Sequence, residues 1–332
     1  MSWVNAALVA MAATAAVGLW LVRPPPRLPA VAVTLPPDLQ AWRDAREAGI
    51  RPDVAAQLVW AGTPGQQTEW AVVYLHGFSA SPAETRPLAE TVAAGLGANL
   101  FVTRLQGHGQ DGAALARATL SGWWRDTAEA LKVGGRLGHR VLVIGTSTGA
   151  TLAAAAARDP KLAPGIDAVV LISGNFGLRT GAARLFDLPL ARYWLPWIAG
   201  RDRCFQIRNA AHAAGWTSCY PLTAVAPMMA LLRHARSGDF GQAQAPAMFI
   251  AARSDRVVDP SAAARVAQSW GGPVRIEWVR PGPGDDPDHH VIAGAALSPA
   301  LTAPVARLIV EWIAGQGGWR PAAEARGQNR SV

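Results

Sequence analysis

Residues 141–150 read VLVIGTSTGA, and this stretch decides the fold. Four apolar residues make a buried strand, Gly145-Thr146-Ser147-Thr148-Gly149 interrupts it, and Ala150-Thr151-Leu152-Ala153-Ala154 opens a helix. A buried strand that turns sharply at G-x-S-x-G and re-enters a helix lifts the serine hydroxyl clear of the sheet, where it can act as a nucleophile. Gly145 and Gly149 leave room for backbone that a Cβ would obstruct. The positive end of the helix faces the place where an oxyanion would form.

Outward from this turn, apolar runs predict strands at 56–60, 69–75, 99–105, 140–145, 168–173, 247–252 and 274–279, suited to a sheet covered on both faces. Helices are expected between them. Residues 82–96 place Leu88, Val92 and Leu96 on one face, Ser121 caps a helix over 123–133, and Asp259-Pro260 opens one through Gln268. A helix over 301–314 closes the domain. This alternation predicts an α/β, doubly wound, mostly parallel sheet.

The domain is expected at 56–315. An insertion at about 174–244 lacks a clear strand, and segments of that length are usually functional or a small helical cap. Phe186, Leu188, Leu190, Tyr193, Trp194, Leu195, Trp197 and Ile198 form one apolar patch in it, and Met228, Met229, Leu231 and Leu232 a second. Most of these residues serve plain packing in this reading, while a few facing the cleft could hold an acyl chain. Residues 23–55 comprise a proline-rich stalk, with six prolines over 23–37, and a short helix over 38–48. Residues 316–332 are expected to be a flexible tail.

Residues 2–22 form an uncharged apolar run of 21, about 30 Å as a helix. The start lacks Lys and Arg, and Trp20 with Arg23 stands at the far end as an interfacial anchor. The expectation is therefore a membrane protein with a retained single-pass N-terminal transmembrane helix at 1–22, preferred over a cleaved signal. Arg23 and Arg27 favour a cytoplasmic flank but leave the side open.

A chain of 332 residues, half of them apolar, can bury a large core. The net charge of +8 comes almost wholly from arginine, since Lys132 and Lys161 are the only lysines. No basic run or nucleic-acid motif accompanies it, so no nucleic-acid partner is expected. Cys204 and Cys219 match no zinc or redox spacing; they could pair if the domain is exported or stand as two free thiols.

A serine hydroxyl needs a positioned base, and the base an orienting acid. Asp255 follows the strand at 247–252 in the turn Arg253-Ser254-Asp255-Arg256, at a strand end where active-site groups of open α/β sheets collect. It is preferred to Asp259, whose Asp-Pro-Ser context reads as a helix cap. Spacing does not separate His289 from His290 as the base. An oxyanion hole needs two converging N–H donors. One is expected from Thr148 and the other from Phe78, in the loop Leu75-His76-Gly77-Phe78-Ser79, with His76 in a structural role. No histidine pair has zinc spacing, and no phosphate-binding glycine loop occurs, so neither a metal nor another cofactor is expected.

Leu75-His76-Gly77-Phe78, Arg104-Leu105-Gln106-Gly107-His108-Gly109, Gly145 through Gly149, Ser254-Asp255-Arg256-Val257-Val258-Asp259 and His289-His290-Val291-Ile292 together resemble the α/β-hydrolase superfamily, bacterial carboxylesterases and monoacylglycerol-lipase-like enzymes above all. The likeness covers about residues 58–314. It implies Ser147 as nucleophile, Asp255 as acid, His290 as base and the Phe78 and Thr148 amides as oxyanion donors. It also implies a cap where the insertion falls, and cleavage of small-molecule or lipid carboxylic esters through an acyl-enzyme. An aminopeptidase of the same fold is the alternative. It would need carboxylates in the cap for a substrate ammonium, yet residues 174–244 carry only Asp187, Asp202 and Asp239 against eight arginines. The rival from another class is a non-catalytic, membrane-tethered binding protein on a hydrolase scaffold.

Overall fold

The computed structural model describes residues 26–181, 185–186 and 188–315, together with Trp3, Asn5, Ala7, Met11, Thr14, Ala15 and Gly18. The chain builds strands β1 (Gln57–Val59), β2 (Thr68–Leu75), β3 (Asn99–Val102), β4 (Gly138–Thr146), β5 (Ala168–Ile172), β6 (Asp202–Cys204), β7 (Cys219–Pro221), β8 (Ala247–Ala252) and β9 (Val274–Val279). Seven of them form one sheet in the order β1-β3-β2-β4-β5-β8-β9, parallel except for β1 against β3. Side chains alternate across the pleat. Ala71, Val73, Leu75, Val143, Val169, Leu171 and Phe249 therefore join one core layer, and Val72, Tyr74, Leu142, Ile144, Val170, Ile172 and Ile250 the other. β9 departs from the expectation of full cover, because it is an edge strand and Val274, Arg275 and Ile276 are exposed.

Boundaries shift for local reasons. The expected strand at 99–105 stops at Val102, because the Leu105 N–H donates to His76 Nε2 rather than to a ladder. The helix expected from residue 82 begins only at Leu88 and runs to Gly95. Pro87 has no N–H to give and disfavours helical backbone before it. The helix Leu120–Leu137 is capped by Thr119, whose hydroxyl accepts from Gly122 N at 3.0 Å, so Ser121 lies inside its first turn instead of capping it. Asp259 caps Pro260–Ser269, accepting from Ser261 N.

Between β5 and β8 the chain leaves the sheet through the helices Ala191–Ala199, Ala210–Gly215 and Ala226–Arg236 and the antiparallel pair β6–β7. That pair is too short and too polar for its strands to show as an apolar pattern. Cys204 and Cys219 face each other across it and are joined by a disulfide.

The extended, proline-rich residues 26–37 lie along the domain. Leu28, Val31 and Leu35 pack against the core. Trp124 Nε1 donates to Pro29 O, Arg136 reaches the carbonyls of Pro36 and Pro37, and His234 Nδ1 lies 2.9 Å from Pro26 O.

The expected transmembrane helix and single-pass anchor are corrected. Among the described residues, no helix is long and apolar enough to cross a membrane. Spanning a bilayer core takes about 20 consecutive apolar helical residues. Over residues 1–22 the described residues are Trp3, Asn5, Ala7, Met11, Thr14, Ala15 and Gly18. The other residues of that segment lie outside the described residues, as does the expected tail at 316–332.

Candidate active site

β4 ends at Thr146 and the helix Thr148–Arg158 starts two residues later, so Ser147 alone makes the turn, at φ 52° and ψ −113°. That left-handed φ is costly for a residue with a side chain. The surroundings enforce it, since a Cβ at Gly145 would stand 2.5 Å from Gly149 O, and one at Gly149 would stand 2.1 Å from Leu75 O. Ser147 N donates to Ile172 O, and Ser147 O accepts from Asn175 N, so the turn is fastened to the end of β5.

The turn after β8 buries Asp255 completely. Its Oδ1 accepts from the N–H groups of Val257 and Val258 at 2.8 and 2.9 Å, which leaves Oδ2 for His290 Nδ1 at 2.8 Å. His290 Nε2 lies 3.0 Å from Ser147 Oγ. The structure thus brings Ser147, His290 and Asp255 into one hydrogen-bonded chain. His289 points elsewhere, its Nδ1 being 2.7 Å from Ser254 Oγ. Burial pulls the His290 pKa down, but the Asp255 charge and hydrogen bond, helped by Glu84 and Asp286, outweigh it and hold the value above 6.5.

Thr148 is the first residue of its helix, so its N–H has no carbonyl partner within that helix. Phe78 stands in the wall of the cleft. His76 is fully buried; its Nε2 accepts from Leu105 N, so the proton sits on Nδ1, 2.8 Å from Gly77 O. Burial, with His108 and Arg104 nearby, lowers its pKa well below 6.5 and keeps the ring neutral. Among the described residues, no cluster of His, Cys, Asp and Glu could hold a metal ion.

Ser147 and His290 open into a cleft of about 740 Å³. Much of its apolar wall comes from the segment between β5 and β8, through Leu178, Phe186, Leu195, Tyr220, Val225 and Met228. Leu190, Tyr193, Trp197 and Ile198, placed in the same apolar patch by the sequence, are instead exposed.

Two carboxylates escaped the sequence reading. Asp286 Oδ2 accepts from the N–H groups of both His290 and Val291 and so fixes the histidine loop. Glu84 is buried beneath the His76–Phe78 loop, where it accepts from Gly77 N. Burial pushes its pKa up to about 7, against the Gly77 N–H, the Tyr74 hydroxyl and the His290 charge. Asp286 carried a signal, its place four residues before His290; Glu84, inside an expected helix, carried none.

A seven-stranded, mostly parallel sheet with a serine on a strained turn at the end of a central strand, hydrogen-bonded to a histidine and a buried aspartate, defines an α/β hydrolase. The chain belongs to the Hydrolase_4 family, serine aminopeptidase S33, whose model matches residues 66–277. Its fold is similar to a structure from work on the metagenome-derived lipolytic enzymes LipS and LipT (19% identity, TM-score 0.62, 80% of this chain and 99% of that one). It is similar also to a soluble variant of monoglyceride lipase from Saccharomyces cerevisiae (10%, 0.56, 78% and 90%). A third likeness is to monoacylglycerol lipase from Paleococcus ferrophilus (15%, 0.53, 78% and 98%). A comparison with curated proteins finds none that matches.

Proposed function

We propose that this protein is a serine esterase that cleaves carboxylic esters with apolar acyl groups through an acyl-enzyme. The observation that carries the reading is the hydrogen-bonded chain from Ser147 Oγ through His290 to Asp255. His290 Nε2 takes the Ser147 proton as Oγ attacks the ester carbonyl, and Asp255 orients the ring and stabilises its cationic form. The Phe78 and Thr148 amides bind the oxyanion. The imidazolium then protonates the departing alkoxide. In the second half-reaction His290 deprotonates a water that attacks the acyl-serine, returning the enzyme and releasing the acid. The cleft's apolar wall suits an acyl chain. Lipolytic enzymes and monoacylglycerol lipases among the similar structures support ester substrates.

The family's description favours a second reading, an aminopeptidase. Such an enzyme must pair a substrate ammonium with carboxylate. Among the described residues four carboxylates line the cleft. Glu84 and Asp286 are taken up by backbone N–H groups, and Asp288 pairs with Arg208 at 3.6 Å. Asp202, the only one of the four between β5 and β8, has Arg203 beside it; Asp187 lies outside the described residues. Esters are therefore preferred.

Hydrolysis of short and medium acyl nitrophenyl esters, beside amino-acid arylamides, tests both readings. Ser147→Ala should lower kcat by about 10⁴–10⁶-fold and abolish labelling by a fluorophosphonate. Undiminished turnover rejects the mechanism. Faster arylamide than ester cleavage transfers the chain to the second reading, and a parent protein inert to the probe would leave a binding scaffold.

A further inference from the structure

Glu84 has surroundings that neither packing nor the proposed mechanism accounts for. It is 3% exposed, and its Oε2 accepts from Gly77 N at 2.8 Å and from the Tyr74 hydroxyl at 2.9 Å. The same hydroxyl lies 3.0 Å from Thr146 Oγ1, on the residue before the nucleophile. A tyrosine has one hydroxyl proton, so when it donates to the Glu84 carboxylate, Thr146 must be the donor to the tyrosine oxygen.

Gly77 is wedged between the carboxylate and the nucleophile. A Cβ placed there would stand 2.6 Å from Glu84 Oε1 and 3.2 Å from Ser147 Cβ. Glu84 also contributes to the wall of the cleft that Ser147 and His290 share. A buried carboxylate is costly unless a charge or several donors meet it. Among the described residues, no Arg or Lys forms an ion pair with Glu84. The titratable groups that act on it are Tyr74 from β2 and His290 from the loop after β9, which in turn faces Asp255 and Asp286. A Cβ placed at Gly294, further along that loop, would stand 2.6 Å from the Glu84 carbonyl oxygen.

Resting on the esterase reading, we propose that Glu84 is a positioning residue for ester cleavage: its carboxylate fixes the Gly77 end of the oxyanion loop and presents a negative charge to His290. The first part follows from the Gly77 N–H, one peptide before the Phe78 donor. A loop that loses its buried acceptor gains freedom just where the oxyanion must be met. The second part adds to what Asp255 does. As Ser147 yields its proton, the imidazolium that forms is stabilised by Glu84 in addition to Asp255 and Asp286. Because burial raises the Glu84 pKa to about 7, protonation of Glu84 removes its charge from His290 within the range where His290 itself titrates.

The test is the pH profile of kcat/KM on a short nitrophenyl ester. The base must be neutral, so activity falls on the acid side as His290 takes a proton. Glu84→Gln keeps an acceptor for Gly77 N and Tyr74 but removes the charge. His290 should then protonate less readily, moving the acid limb to lower pH by about one unit and lowering kcat by on the order of tenfold, with KM little changed. Tyr74→Phe takes one donor from the anion, favours neutral Glu84, and should move the limb the same way by less. Glu84→Ala should lower kcat further, through loss of the Gly77 acceptor. A merely structural glutamate would lower the Tm and leave the limb in place. A limb that superimposes on the parent's, in whichever of Glu84→Gln and Tyr74→Phe folds, overturns the proposal while the esterase reading stands. A parent that neither hydrolyses the ester nor labels with fluorophosphonate removes that reading, and this proposal with it.

Discussion

The turn at Ser147 and the segment between β5 and β8 meet in one cleft, yet different forces shape them. At the turn the constraint is backbone against backbone: Gly149 has no room for one more carbon, with Leu75 O 2.1 Å from where it would stand. Few residue types satisfy such contacts, so the solution is written plainly in the sequence as G-x-S-x-G. The inserted segment is held by side chains against side chains. Its helix Ala191–Ala199 buries Leu195 to 2% exposure while leaving Trp197 77% and Ile198 75% exposed. Many apolar arrangements fill such a space equally well, and no local pattern marks which residue faces the cleft.

Substitutions at the turn and its partners should therefore be drastic and those in the insertion graded. Asp255→Asn should cost most, about 10⁴-fold in kcat, because the amide cannot stabilise the imidazolium and favours the wrong tautomer. Steady-state kinetics near pH 8 would show it, and a drop of only a few-fold would mean that another acid serves. Gly149→Ala should follow, destabilising the fold by about 4–5 kcal/mol in urea unfolding as its methyl meets the Leu75 carbonyl. A neutral result would show that the turn yields more than its contacts suggest. The smallest effect is expected in the insertion. Replacing Cys204 and Cys219 with serine frees a link spanning 15 residues and should cost about 2–3 kcal/mol, read as a lower Tm, with turnover of a short acetyl ester retained. Equal losses of turnover there would erase the distinction between the two regions.

The same contrast explains what the sequence could disclose. β8 and β9 fall at their expected residues because five or six consecutive apolar or alternating positions leave one periodicity. Ser147, Asp255 and His290 could be nominated because each follows a strand or its loop in a fixed order. Choosing His290 over its neighbour needed the family resemblance, and the geometry that separates them, His289 turned to Ser254, is a property of the folded loop. β6 and β7 went unseen, being three residues each and mostly polar or exposed. Glu84 was hidden for another reason. A glutamate two residues after a proline reads as the surface of a first helical turn, and only Pro87 delaying the helix to Leu88 turns that side chain inward.

Residues 26–37 carry a practical consequence. Prolines offer carbonyl oxygens but no N–H, and besides the packing of Leu28, Val31 and Leu35 this segment is fastened through the carbonyls of Pro26, Pro29, Pro36 and Pro37 to donors spread over two helices. The polypeptide therefore enters the body of the molecule beside His234 instead of trailing from residue 38. A reporter or tether joined just ahead of Pro26 would start from that fixed doorway, a dozen residues short of the reach that a loose leash would give it.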